Sequence, residues 1–589
     1  MSQPQYILGI NCAYHESAAA LIADGELVMS VEEERLGGPK HGKVVRVDNA
    51  DELPWRAINA CLDAARIDWA SITAVAYSLD PHLRQSHACL GTDGIPDCFG
   101  HPEGEALFQQ SLARVPDELP LGERTDFVFV PHHEAHGWYA MGTSTFDEAA
   151  ILVMDGIGEG ATVSIGWGDR RSLHLDAQSF FPDSLGLAWE KVARFLDLTE
   201  YDASKVMALA GLAQGAGTDA DHAVHSHLAD ALQVRDGRLI VDQDIFRLEY
   251  PDDFAGLRRR FGRQTRSQGP SIAHAIQHAT ETVLLELGQE IRQRYGSVNL
   301  AYGGGVALNC RANEKLARSG LFRSIHAGPA SHDAGTALGA AWQVHTQLCQ
   351  RPVPQQDAAL VVFSGPRLHA EAPHTDAYRQ NGLSSAKSVV QRLLAGDCAP
   401  WAIGRCEFGP RALGARSLLG PSWDRDIVQR INRLKGRYAY EPVALSVLAE
   451  RADEMFDIPD SARSLVRTML VTVSPRAIWQ QRLAHLLHKD GSVRLQVVHA
   501  HLQPEFHELL RRLDMATGWP LVVNTSLNLR GEPMSATQAG VDRTILRLGL
   551  NTDSVKGFRL VSPRAGFESG DCHTQATSTA GVAVATSVS

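Results

Sequence analysis

The sequence predicts an α/β fold in two parts, on three observations. "YILGINCAYHESAAALIADGELVMSVE" reads as an apolar strand, a polar loop and two more strands joined at the turn signal "DG". "AAILVMDGIGEGATVSIGWGD" has the same arrangement of strand, DG loop and strand, and "NLAYGGGVALN" adds a strand ending on a glycine turn and a helix start. After "RPVPQQD", where proline breaks the periodicity, a second unit begins with its own helices and strands.

In chain order, strands are expected over Tyr6–Ile10, "SAAALIA" and "ELVMSVE", then a helix over Trp55–Arg66 and the strand "AVAYSL". Residues 80–124, rich in Gly, Pro and His, read as an irregular insertion or lid. Strands resume at Phe127–Val130 and Ala149–Met154, and a long helix runs from about Ile272 to Arg294. "DAGTALGAAWQVH" is a helix of small residues, able to pack closely on a sheet. The boundaries give a first domain of residues 1–352, a linker 353–373, a second domain 374–567 and a tail 568–589. The tail is Ser, Thr, Ala and Gly with almost no charge and reads as disordered. No internal sequence repeat is found.

A chain of 589 residues is too long for one ordinary core. With 44% hydrophobic and 21% charged residues it falls in the globular class. The net charge of −12 argues against general binding to a nucleic-acid backbone. Nine cysteines, an odd number without a CxxC pair, read as reduced thiols of a cytoplasmic protein. No basic segment leads into an apolar one at the N-terminus, and no run of about 20 apolar residues occurs, so neither a signal peptide nor a membrane span is expected.

Chemistry concentrates in a few stretches. In "FVFVPHHEAHGWYA", His132 and His136 are four apart, so a helix starting there puts both imidazoles on one face. Two histidines at that spacing suit a metal, and a carboxylate such as Asp155, at the end of an apolar strand, would complete the site. The same spacing also suits a polar helix start bearing surface histidines. His15 and Glu16 lie in a loop that could wrap phosphates with its N–H groups. Gly303, Gly304 and Gly305 allow close approach of a nucleotide. Two strand–loop–strand units and a later glycine turn form the pattern of actin-like, sugar-kinase-like ATP folds. The second unit carries Arg411, Arg416, Lys435, Arg437, Arg494 and Arg530 in or near Gly- and Asn-bearing turns, with Ser417, Thr525 and Ser526 as hydroxyl donors. Together they favour an anion site.

With "EFGPRALGARSLL", "NTSLNLRGEP", "GGVALN" and "HHEAH" the chain resembles the O-carbamoyltransferases of the NodU/CmcH type, which include the tobramycin and cephamycin enzymes. The resemblance runs from Ile7 to about Pro563. It implies an actin-like, threonylcarbamoyl-transferase-like first domain and a YrdC-like second domain with a twisted α/β sheet. It also implies that carbamoyl phosphate and ATP, with Mg(II), give carbamoyl-AMP in the second domain, and that the carbamoyl group passes to a hydroxyl of a small acceptor in the first. Matched by position, the metal ligands are His132, His136, Asp155 and Asp333, for iron(II) or another divalent ion, and His15 is the general base. Lys40, Gly156, Lys205, Gly304, Gly305 and Asn309 match the nucleotide cleft of the first domain. Arg411, Arg416, Ser417, Lys435, Arg437, Arg494, Asn524, Thr525, Ser526 and Arg530 match the carbamoyl phosphate and ATP site.

Three positions depart from the family pattern. Glu441 stands where arginine is common, so it is expected to contact or redirect Arg437; Ala415 replaces Asn; and "EEERLGGPKH" lacks a basic residue before Lys40. Two other functions stay open: carbamoyl-adenylate chemistry on a tRNA or nucleotide, and a non-catalytic ATP-binding scaffold. The acceptor pocket is expected from residues 80–124, where Leu90, Phe99, Leu107 and Phe108 suit a polyketide or macrolide.

Overall fold

A continuous apolar run, buried on both faces, places β1 (Tyr6–Asn11) in the middle of a five-stranded sheet with β2 (Ala18–Ala23), β3 (Glu26–Glu32), β4 (Ile72–Tyr77) and β5 (Asp126–Phe129), in the order β3-β2-β1-β4-β5. The hairpin strands pair antiparallel, and β4 and β5 run parallel to β1. A second sheet holds β6 (Glu148–Met154), β7 (Ala161–Asp169) and β8 (Leu173–Phe180). The small hairpin β9 (Leu232–Arg235) and β10 (Arg238–Val241) stands apart, and β11 (Asn299–Gly303) and β12 (Ser324–Ala327) complete that second sheet. Its order, β8-β7-β6-β11-β12, and its strand directions reproduce those of the first sheet. The repeat absent from the sequence is thus present in the topology, because burial pattern and handedness fix a sheet order without fixing residue identities. The protein is a mixed α/β fold. The computed structural model describes residues 4–87, 99–213, 228, 230–250, 252–261, 269–368 and 386–550, all within one compact unit.

A third, seven-stranded sheet contains β13 (Ala399–Ala402), β14 (Arg416–Pro421), β15 (Ala444–Leu448), β16 (Phe456–Asp457), β17 (Thr472–Pro475), β18 (Val493–Val498) and β19 (Leu521–Ser526), ordered β13-β14-β19-β15-β18-β17-β16. Only β15 and β18 pair parallel.

The small-residue helix Ala334–Cys349 packs as closely as its composition suggests. A Cβ on Gly9 would lie 1.8 Å from the Ala337 carbonyl oxygen, and one on Gly339 would lie 1.8 Å from that of Ala135. The helix is therefore wedged between β1 and the helix His132–Thr143, and only glycine fits at either contact.

Two segments differ from expectation. Residues 102–114, expected to be irregular, form the helix Pro102–Arg114, with Pro102 in its first turn and the His101 side chain accepting from the Glu103 N–H. Phe108 is fully buried there and stacks on Tyr14 at 5.5 Å, with Phe99 edge-on to it at 5.2 Å. Phe108 and Tyr14 are thereby part of the core, Phe99 is half-buried against them, and Leu107 remains exposed. Leu90 lies outside the described residues. Residues 353–368, expected to be a linker, are held on both sides: Gln356 accepts from the Leu27 N–H at 2.9 Å and the Ser30 and Ser364 hydroxyls meet, while the Phe408 and Leu368 N–H groups donate to the Val362 and Gly404 carbonyls, both at 3.0 Å. The tail 568–589 lies outside the described residues.

The two parts share a buried polar seam. Arg35, 1% exposed, pairs with Glu32 and donates to the Gly409 carbonyl, while the Gly409 N–H donates to Glu32 at 2.8 Å. Asn313 donates to the carbonyls of Ala307 and Leu470, both at 2.8 Å. Among the described residues no helix is long and apolar enough to cross a membrane.

Candidate active site

Pro131 opens the helix His132–Thr143 directly after β5, so His132 and His136 project one turn apart toward the strand end carrying Asp155. Asp333 sits at the start of the neighbouring helix Ala334–Cys349. The structure brings all four together. His132 Nε2 is 3.5 Å from Asp155 and 3.7 Å from Asp333, His136 Nε2 is 3.7 Å from each, and the two Nε2 atoms are 3.1 Å apart. Both imidazoles are fully buried and both carboxylates nearly so. His132 Nδ1 faces the Ser78 carbonyl at 3.0 Å, which places its proton there and leaves the Nε2 lone pair facing the cluster. His133, the third histidine of the run, turns away to the Ser164 hydroxyl at 2.7 Å.

Two nitrogen and two carboxylate donors converging at these separations match a divalent ion of borderline hardness, whose bonds to such ligands are about 2.1 Å. Burial alone would discharge the His132 imidazolium, but Asp155 and Asp333 override it and hold the imidazole well above its ordinary range. The cluster thus demands positive charge, whether as protons or as a metal.

The Glu159 carboxylate, in the same glycine-bearing loop as Asp155, accepts from the His132 N–H at 2.8 Å and the Asp80 N–H at 2.9 Å. It satisfies the N–H groups at the buried start of the helix that carries His132 and His136. Sequence reasoning passed over it, though a second carboxylate in a strand-end loop was a usable signal. Asp155 also accepts from the Gly305 N–H at 2.7 Å, and a Cβ on Gly304 (φ +89°) would fall 2.1 Å from the Met154 carbonyl oxygen. The glycine turn is therefore pressed against the strand that ends at Asp155.

His15 is partly exposed, with Nδ1 3.8 Å from Asp333 and no hydrogen-bond partner. Burial opposes its protonation, yet Asp333 and Glu16 raise its affinity for a proton. Its ring meets the edge of Tyr201 at 5.7 Å, and His41 stacks on Tyr201 at 4.1 Å while bonding Glu16 at 2.6 Å. No local signal pointed to Tyr201; the fold delivers it from a distant turn. Gly156 follows Asp155 and takes the Ser184 hydroxyl on its carbonyl. Lys205 pairs with Asp202 at 2.5 Å and lies 5.9 Å from the Tyr438 ring. Asn309 caps the helix Cys310–Arg318 and is tied to Gln277, so it acts as scaffold here.

In the second part, Arg411, Lys435, Arg437 and Arg494 form a cluster of opposite sign. Burial first, then Arg411, pushes the Arg494 guanidinium down to about 9; burial, then Arg437, depresses Lys435, and the exposed Lys40 adds to that effect. Arg411 Nε, Arg494 Nε and Arg437 Nη1 are buried without an acceptor. Lys435 donates to Thr525, to the Ser526 hydroxyl at 2.8 Å and to Asn528 at 2.9 Å. The departure at Glu441 has the anticipated consequence: its carboxylate takes Arg437 Nε at 2.9 Å and the Tyr438 N–H at 2.9 Å. Arg530 is exposed, 4.1 Å over the Tyr438 ring.

Arg416 and its neighbours stand differently. Arg416 is fully buried and donates to the carbonyls of Ile403, Gly404, Ala415 and Ser535, so it braces the turn. Ser417 accepts from the Gly414 N–H, and Asn524 bonds Ala412 and Ser446. Sequence reasoning missed Glu407, which is fully buried and whose Oε1 accepts the N–H groups of Leu413, Ala415 and Arg416 and shapes the turn.

Comparison with known proteins matches this architecture along the chain. A family model described as "Carbamoyltransferase N-terminus" matches residues 6–342, and one described as "Carbamoyltransferase C-terminus" matches residues 390–560. An uncharacterized protein of Synechocystis sp. is 31% identical over 94% of this chain and 96% of its own length. The nodulation protein NolNO of Sinorhizobium fredii is 30% identical over 94% of this chain and 80% of its own. The 3'-hydroxymethylcephem-O-carbamoyltransferase of Amycolatopsis lactamdurans is 26% identical over 88% and 92%.

Proposed function

Because the chain belongs to the carbamoyltransferase family and is an enzyme of that class, we propose that it forms carbamoyl-AMP from carbamoyl phosphate and ATP and transfers the carbamoyl group to a hydroxyl of a secondary metabolite. The single observation that carries the reading is an imidazole without a hydrogen-bond partner, His15, beside a buried four-donor cluster. The duplicated sheet order supports an actin-like transfer domain, and the seven-stranded sheet is read as a YrdC-like adenylate-forming domain. A relative named for carbamoylating a hydroxymethyl group supports an alcohol acceptor.

The chemistry has two stages. Carbamoyl phosphate and water give carbamate and inorganic phosphate; a carbamate oxygen then attacks the α-phosphorus of ATP, and pyrophosphate leaves. Arg411, Lys435, Arg437 and Arg494 hold the phosphate oxygens, and their unpaired N–H groups favour such a polyanion. In the second stage the acceptor oxygen attacks the carbamoyl carbon, His15 takes the hydroxyl proton, and the bond to AMP breaks. A positioned base of this kind typically contributes about 10²–10⁴-fold. His132, His136, Asp155 and Asp333 would hold iron(II) or another divalent ion, which when bound supplies Lewis-acid polarisation of an adenylate oxygen. Enclosure between the two parts limits hydrolysis of the adenylate.

The test is pyrophosphate release from ATP that depends on carbamoyl phosphate, followed by mass spectrometry for carbamoyl addition to a panel of alcohol-bearing natural products. Absence of carbamoyl-phosphate-dependent pyrophosphate release would reject the reading.

A further inference from the structure

Three charged residues that no step of carbamoyl transfer uses, Arg84, Glu105 and Glu159, are buried in one chain of contacts, at 5%, 5% and 2% exposure. Arg84 lies on the short helix Pro81–His87 and Glu105 on the helix Pro102–Arg114. Arg84 Nε donates to one Glu105 oxygen at 3.0 Å and Nη2 donates to the other, so the two flat groups meet fork on fork. Glu105 also takes the Gly100 N–H at 2.9 Å. A buried pair of this kind adds little stability over apolar residues of the same size. What it supplies is a fixed direction for the remaining arm of the guanidinium: Nη1 donates to the Glu159 carbonyl at 2.8 Å.

Glu159 is where that direction is used. It follows Asp155 in the loop between β6 and β7. Its Oε1 accepts from both the His132 N–H at 2.8 Å and the Asp80 N–H at 2.9 Å. One oxygen thus locks the start of the helix that carries His132 to the stretch after β4. In that stretch the Ser78 carbonyl faces His132 Nδ1 and orients the ring. A displaced Glu159 therefore shifts His132 by its main chain and by its ring, and pulls on the loop that holds Asp155.

We propose that Arg84, locked by Glu105, is a positioning residue for the four-donor cluster and acts through Glu159 on His132 and Asp155; the proposal rests on the reading of that cluster as a metal site.

Co(II) titrated into the metal-stripped full chain, without ATP, carbamoyl phosphate or an acceptor, tests it by visible absorption and elemental analysis. The unaltered chain should bind one equivalent that His132→Ala loses. Arg84→Met combined with Glu105→Leu leaves neither charge unpaired, so the double variant should fold; its affinity for Co(II) should fall about 10–100-fold and its absorption bands should shift. Glu159→Ala should lose as much, and Glu159→Gln, which keeps an accepting oxygen, much less. The thermal midpoint of each metal-free chain is read alongside, since a purely structural clamp lowers it and leaves the affinity alone. Unchanged affinity in the folded double variant, or in Glu159→Ala, overturns the proposal and spares the metal site. No uptake by the unaltered chain, or uptake that His132→Ala keeps, overturns the metal reading and the proposal with it.

Discussion

Two polar clusters of opposite character stand in the two parts of this protein. One gathers two imidazole nitrogens and two carboxylates. The other gathers three guanidiniums and an ammonium with one carboxylate, Glu441, among them. Each is short of its complement: the first calls for a cation, the second for an anion. They differ in construction. Every member of the first sits at the end of a strand or the start of a helix or one turn into it, whereas the second takes Arg411 and Arg437 from loops, Lys435 from the end of the helix Ile427–Lys435 and Arg494 from β18. The lesson is that charge type alone did not sort the second set, because Arg416, equally basic, is a brace satisfied by carbonyls.

The largest effect should come from breaking the first cluster. Changes around metal ligands typically cost about 10–100-fold, so His132→Ala, which removes one donor of the proposed metal site, should lower the proposed transfer by at least about 100-fold and reduce bound metal. Unchanged metal content by elemental analysis would take His132 out of the ligand set. Next, Arg494→Met should lower pyrophosphate release by at least about 30-fold, the equivalent of the 2 kcal/mol or more typical of a buried charge contact. The same variant should raise the thermal midpoint of the ligand-free protein, since it removes a buried, repelled charge. Arg416→Met sharpens the contrast by having the opposite sign. Its carbonyl partners lose their donors at about 1–3 kcal/mol for each one left unsatisfied, so the thermal midpoint should drop by several degrees. A drop for Arg494→Met and a rise for Arg416→Met would invert the assignment.

The smallest effect is a pH dependence. Burial, then Arg467, pushes the His326 imidazole down to about 3, against about 6.5 in an unfolded chain. Below pH 6.5 the unfolded chain takes the proton that the folded one refuses. Stability therefore falls on acidification from about 6.5 toward 3, by at most about 1.4 kcal/mol per pH unit. His326 bridges Thr143 at 2.9 Å and Ser464 at 2.7 Å, so it sits on the seam between the two parts. Urea melts at pH 7 and 5 should show a shallower loss for His326→Asn than for the unaltered chain; equal slopes would remove His326 as the titrating group.

The strands around Asp155 and the glycine turn at Gly304 were legible because strands and tight turns leave local patterns. The four-apart histidines were legible as a pair, but their partners were not: Asp333 lies nearly 200 residues from His136 in sequence, and only its resemblance to a known family suggested it. The helix Pro102–Arg114 was missed because Gly and Pro outweighed a short apolar periodicity. Glu407 was missed and Arg416 could not be told from the other arginines of the motif, because whether a charged group faces a cleft or the backbone is decided by atoms from other segments.

By itself, then, the sequence determined the α/β class, the anionic surface balance, the two strand–loop–strand units and the reactive residue types. Periodicity and composition act over a few residues and survive without a fold. The tertiary structure alone decided which four side chains meet at one point, which arginine is spent on the backbone, that both sheets share one order, and that Arg84, paired with Glu105, reaches the loop that carries Asp155. Those outcomes depend on distances between residues far apart in the chain, which close packing sets and no local pattern encodes.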